Sequence, residues 1–132
     1  MTIAGLLDTS VLIASETGRS IDAGSLPDQA YVSVITSAEL HVGVLAAQDV
    51  PTRARRVATL NAIAHLALLP VDAEAAARWA ELRVRLAQAG RKMNVNDLWI
   101  AAVAKANALP VVTQDADFDV IQDLGGPDVV RV

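Results

Sequence analysis

Apolar and polar positions follow two different periods along the chain. Short apolar runs bounded by polar residues read as strands buried on both faces: Ala4 to Leu7 with Asp8 at its end, Tyr31 to Ile35, Leu66 to Val71, Leu109 to Thr113 and Val129 to Val132. Between these runs the apolar residues recur at spacings of three and four, the period of a half-buried helix. A short helix is predicted from Ser10 to Ser15, after which Gly18, Gly24 and Pro27 mark 16–29 as loops or a ragged helix. A helix starting at Thr36 carries Leu40, Val44 and Ala47. Pro51 and Thr52 open the next one, with Val57, Leu60 and Ala64 facing inward and Arg53, Arg55 and Arg56 in water. Asp72 stands as the N-cap of a long helix to Ala89, with the stripe Ala75, Trp79, Leu82, Leu86 and Ala89 and with Gly90 as its stop. The last helix runs from Asn94 to Asn107 and is apolar nearly all round from Leu98 to Ala104, which predicts burial.

Strands alternating with helices predict an α/β fold: a mostly parallel sheet of about five strands, joined by right-handed crossovers and flanked by helices. The 132 residues suit one domain spanning 1–132 and are enough to bury a core. Composition changes this picture little. The chain is 53% hydrophobic but only 3% aromatic, so small side chains, alanine above all, make up the apolar content and favour close packing. No apolar run approaches the roughly 20 residues that span a bilayer, and the first residues lack the basic segment and long apolar core of a signal peptide. The expectation is a cytoplasmic protein without membrane contact. With no cysteine there are no disulfides or thiolate sites, which leaves oxygen ligands or the two histidines for any metal.

The candidate chemistry lies in the acids. Asp8 and Asp115 fall just past the ends of two predicted strands, and Glu39 and Asp97 fall in the first turns of two predicted helices, so all four can face one edge of the sheet. In open parallel sheets ligands gather at that edge. Each acid also has a mundane role of its own. Asp8 can end a strand, Thr36-x-x-Glu39 and Asn94-x-x-Asp97 resemble capping boxes, and Asp115, Asp117 and Asp119 fall in a polar turn. Together, however, such acids repel unless a cation offsets them. Oxygen-only ligands select a hard ion, Mg²⁺ or Mn²⁺, and a carboxylate cluster holding one suits phosphodiester hydrolysis by activated water. The net charge of −4 first argues against a polyanionic partner. Setting aside Asp8, Glu39, Asp97, Asp115 and Asp117 as one pocket leaves 11 basic against 10 acidic groups, so nucleic acid is not excluded.

Four segments carry a resemblance to a known family: Leu6 to Ile13 around Asp8, Ser37 to Leu40 around Glu39, Asn96 to Ala102 around Asp97, and Val112 to Phe118 around Asp115 and Asp117. Their order and spacing resemble the four acidic motifs of the PIN-domain ribonucleases, and the chain is most similar to the VapC-type toxins of bacterial type II toxin-antitoxin pairs. The resemblance implies a three-layer PIN-like fold and a Mg²⁺- or Mn²⁺-dependent endoribonuclease. Asp8, Glu39, Asp97 and Asp115 match the metal-binding acids, Asp117 a further acid of variable role, and Ser10 and Thr113 hydroxyl positions that support the site. It also implies an RNA substrate, a homodimer and a VapB-type antitoxin whose C-terminal segment blocks the acidic pocket.

The basic and aromatic residues add less. Arg91 and Lys92 precede the Asp97 helix and can hold RNA phosphates at the rim, although cations are also common after a helix C-terminus. Arg53, Arg55 and Arg56 read as a wet helix face, with antitoxin contact as a second reading. His41 and His65 fall outside the motifs, and Trp79 and Trp99 read as core or dimer interface. An aspartyl phosphatase would need a second acid two residues after Asp8, where this chain has Ser10. A phospho-accepting receiver would need an acid pair near the first strand. The remaining alternative is a catalytically silent PIN-like module that binds protein or RNA.

Overall fold

The computed structural model describes residues 2–132. Five strands, β1 (Ala4–Leu7), β2 (Gln29–Ser33), β3 (Ala67–Leu69), β4 (Val111–Thr113) and β5 (Val129–Arg131), form one sheet in the order β3-β2-β1-β4-β5, every pair parallel. The chain steps outward from β1 to β3 and then returns to the other side of β1. The strand order therefore reverses between β1 and β4, and a crevice opens outside their carboxyl ends. The register is set there by Leu6 opposite Val111 and Leu7 opposite Val112, and the Asp8 backbone N–H donates to Val112 O at 2.8 Å.

Side-chain alternation along β1 and β4 sends consecutive residues to opposite faces. Leu6 and Val111 pack with Leu82 and Leu86 of helix α4 (Ala73–Gln88) and with Ile100, Ala101 and Val103 of helix α5 (Val95–Ala106). Leu7 and Val112 pack on the other face with Val11 of the short helix α1 (Thr9–Ile13). Alanine is what lets α5 lie against both α4 and the sheet, since Ala101, Ala102 and Ala104 are fully buried. Trp79 and Trp99 stack between α4 and α5 with centroids 4.8 Å apart and planes 15° from parallel. Helices α2 (Val34–Ala46) and α3 (Val50–Ala62) complete the fold around a smaller cluster of Val32, Leu40 and Ile63. Among the described residues no helix is long and apolar enough to cross a membrane.

Most predicted elements form, and the departures have local causes. Strand β2 ends at Ser33 instead of Ile35, because the Ser33 hydroxyl accepts from the Thr36 N–H and starts α2 two residues before the predicted Thr36. Ala64 does not face inward: α3 ends at Ala62 and a 3₁₀ turn, Ile63–His65, buries Ile63 in its place. Ala89 lies exposed beyond α4, which Asp72 caps through the Ala75 N–H as expected; Gly90 follows with φ +67°. The polar turn predicted around Asp115 to Asp119 is a nine-residue 3₁₀ helix, Ala116–Leu124, held by burial of Phe118 and Ile121 in the main core.

Strands β1 and β4 approach closely at Gly5, where an added Cβ would sit 2.7 Å from Val112 Cγ2. Gly5→Ala should lower the unfolding free energy by about 1–3 kcal/mol through overpacking at this seam. Urea unfolding measures it, and an unchanged midpoint would contradict the close β1–β4 contact.

Candidate active site

Asp8 is the first residue past β1 and one of the few buried polar side chains. A buried carboxylate needs hydrogen bonds to stay ionised. Two hydroxyls supply them: Ser10 Oγ donates to Asp8 Oδ2 at 2.8 Å and Thr113 Oγ1 donates to the same oxygen at 2.9 Å. The two hydroxyls lie 3.2 Å from each other, so β1 and β4 are joined through side chains at the point where the strand order reverses. Both hydroxyls also act as acceptors. The Gln114 N–H donates to Ser10 Oγ at 3.1 Å and the Asp115 N–H donates to Thr113 Oγ1 at 3.0 Å, which fixes the chain leading into the 3₁₀ helix. Burial still outweighs these bonds and pushes the Asp8 carboxyl above its ordinary value.

Asp97 stands at the entrance of α5. Asn94 caps that helix, its side-chain oxygen accepting from the Asn96 N–H at 2.9 Å and the Asp97 N–H at 3.4 Å. Only half of the capping box forms, since no hydrogen bond to the Asp97 carboxylate is made among the described residues. Burial, and then the charges of Asp8, Asp117, Glu39 and Asp115, push its carboxyl up from 3.8 to about 7. The acids singled out in the sequence therefore act on one another across a single site.

Glu39 reaches the site by a different route than the sequence suggested. With Ser33 as the cap, Glu39 lies in the second turn of α2, and no acid stands in the first. Its carboxylate is not a capping group; it accepts from Thr9 Oγ1 at 2.8 Å, and the Thr36 hydroxyl lies 3.1 Å from Thr9 Oγ1. Thr9 and Thr36 are thus supporting residues that the sequence reading passed over, although a second hydroxyl beside Asp8 was a usable signal. Arg19, from the loop after α1, was also missed; its guanidinium lies 3.7 Å from Asp115 Oδ1. A cation in a loop eleven residues after Asp8 and outside every motif gives no sequence signal for such a contact. Lys92 lines a pocket with Asp97 and Asp117, and Arg91 donates at 3.4 Å to the carbonyl oxygen of Val120, which lines the same pocket.

The donors are all oxygen, and Asp97 has a carboxylate free of competing bonds and crowded by like charge. Such a set fits a hard divalent cation. Among the described residues, however, no three His, Asp or Glu side chains stand close enough to hold one ion together.

Comparison with known proteins places this geometry among relatives. The family model described as PIN domain matches residues 5–124. The chain is 52% identical over 129 residues to ribonuclease VapC5 of Mycobacterium tuberculosis, covering 98% of this chain and 96% of the relative. It is 35% identical over 119 residues to ribonuclease VapC4 of the same organism, covering 90% and 92%. Among solved structures it is similar to VapBC-5 of M. tuberculosis, a member of the VapBC family of toxin-antitoxin systems, at 50% identity, TM-score 0.91 and 98% coverage of both chains. It is also similar to FitAcB of Neisseria gonorrhoeae, at 27% identity, TM-score 0.80 and coverage of 97% and 96%.

Asp97 keeps its proton up to about pH 7 when folded but ionises near 3.8 when unfolded. The folded state therefore binds more protons in that window, and the stability this group contributes, present below about pH 4, is lost as the pH rises through 7. In metal-free buffer Asp97→Asn should raise Tm at about pH 8, and the gain should vanish near pH 4. Thermal melts at both pH values check this; equal Tm values for variant and wild type at pH 8 would contradict the crowding.

Proposed function

The chain belongs to the PIN-domain family, and on that premise we propose that it is a Mg²⁺- or Mn²⁺-dependent endoribonuclease, the toxin of a VapBC-type pair. One observation carries the proposal: four carboxylates converge on a fifth, Asp97, at the carboxyl edge of a parallel sheet, where their repulsion is costly unless a cation binds. In this reading Asp8, Glu39, Asp97 and Asp115 hold the ion. The bound ion supplies a water of lowered pKa and offsets the charge that builds on the phosphate and the leaving oxygen. Asp8 is aimed by the Ser10 and Thr113 hydroxyls and Glu39 by Thr9, so the hydroxyls orient the acids and need not themselves attack. Asp117 faces the open side beside Lys92 and acts on incoming substrate or water. Arg19 offsets the charge of Asp115 from the rim.

The partners follow from the same premise. The substrate is RNA, the regulator is a VapB-type antitoxin that covers the acidic pocket, the working form is a homodimer, and the location is the cytoplasm. A catalytically silent module would have no use for acids held together against their own repulsion.

The test is cleavage of total RNA by the purified chain with Mg²⁺ or Mn²⁺ and with EDTA, beside Asp8→Asn and Asp97→Asn. We expect metal-dependent cuts that fall at least about 100-fold in either variant while the circular dichroism spectrum is kept. Full activity in either variant, or equal cleavage in EDTA, would overturn the assignment.

A further inference from the structure

Resting on the nuclease reading above, we propose that Arg55 and Arg56 of α3 form a backbone-binding arm for single-stranded RNA, in a pocket separate from that of Lys92. Two open pockets flank the acidic cluster. One, of about 390 Å³, holds Asp97 and Asp117 with Lys92 at its wall. The other, of about 400 Å³, begins at Thr9 and Glu39 and runs over Ile13 and Leu40 to Arg55 and Arg56, with Glu16 also on its wall. Thr9 follows Asp8 in the chain and donates to Glu39, so this second pocket begins at one of the five acids.

Each arginine makes one local hydrogen bond and keeps further N–H donors. Arg56 is half-buried and its Nη1 donates to Gly43 O at 2.7 Å, which holds the guanidinium at the groove wall; Arg55 Nη2 donates to Thr52 Oγ1 at 3.2 Å. Among the described residues the ion pairs are Arg19–Asp115, Arg78–Glu81 and Arg131–Asp119, so Arg55, Arg56 and Lys92 make no direct ion pair. The two arginines do act on the carboxylate of Asp49, which is held below its ordinary value by its bonds from Thr52 and then by their charges. An RNA strand entering an acidic pocket meets repulsion at its flanking phosphates, and cations on each flank relieve it while leaving the acids to the scissile group. The apolar floor of Ile13 and Leu40 between hydroxyls and guanidinium groups suits sugars and bases, without the edge contacts that would read sequence.

Binding of a fluorescein-labelled, mixed-sequence single-stranded RNA of about 12 nucleotides, followed by anisotropy against salt in Mg²⁺, tests this. The full chain carries Asp97→Asn throughout so that the probe stays whole. Adding Arg55→Gln with Arg56→Gln should weaken binding about tenfold and flatten the log–log salt slope by about 1.4, at about 0.7 per lost phosphate contact. Arg55→Lys with Arg56→Lys should keep both values. Arg55→Gln alone, at an exposed side chain, should flatten the slope by about 0.7 and serves if loss of Arg56 unfolds the chain. Unchanged affinity and slope in the glutamine variants, while the chain with Asp97 intact cuts RNA, overturns this inference alone. Loss of antitoxin binding by the same variants with RNA binding unchanged assigns the groove to a protein partner and also overturns it. A chain that neither cuts nor binds RNA removes the nuclease reading and this inference together.

Discussion

Like charges brought together at the carboxyl edge of the sheet are the constraint around which the rest of the structure is arranged. Asp8, Glu39, Asp97, Asp115 and Asp117 come from four separate segments of the sequence, and the field of the other four is felt at Asp97. Their convergence needs a scaffold stiff enough to resist the repulsion. A parallel sheet whose strand order reverses between β1 and β4 supplies it, reinforced by Ser10 and Thr113 bonded to one oxygen of Asp8. Burial of Phe118 and Ile121 does the same for the segment that carries Asp115 and Asp117. The alanines of α5 let the helix with Asp97 sit directly against the sheet and α4.

Much of this was legible in the sequence, because the strongest signals are local. Short apolar runs marked the five strands, Asp72 and Asn94 marked two helix starts through their own side chains, and Gly90 marked a stop. What could not be read depended on contacts distant in sequence. Ser33 took the capping role that the pattern gave to Thr36, a choice between two hydroxyls three residues apart that propensity does not resolve. That shift moved Glu39 out of the first turn and made Thr9, thirty residues away, its partner. The 3₁₀ helix after Asp115 looked like a solvated turn because its polar residues are dense, and only the core contacts of Phe118 and Ile121 order it.

The same logic separates the basic residues. Arg91 and Lys92 are adjacent in sequence and differ in bonding: Arg91 is tied to the carbonyl of Val120, which lines the pocket of Asp97 and Asp117, and Lys92 lines that pocket itself. Arg55 and Arg56 looked like a wet helix face, and the fold turns that face toward a groove that starts at Glu39. In the proposed reading, acids at the centre with Lys92, Arg55 and Arg56 in the pockets beside them let a surface of modest net charge accept a polyanion.

Thermal unfolding under a Mn²⁺ titration at about pH 8 tests most directly whether the gathered acids are a cation site, since an ion bound only by the folded state raises Tm by mass action. The account requires wild-type Tm to climb with Mn²⁺ toward a plateau, and Asp97→Asn to lose most of that climb. A wild-type Tm indifferent to Mn²⁺, or a variant that responds as the wild type does, would contradict it.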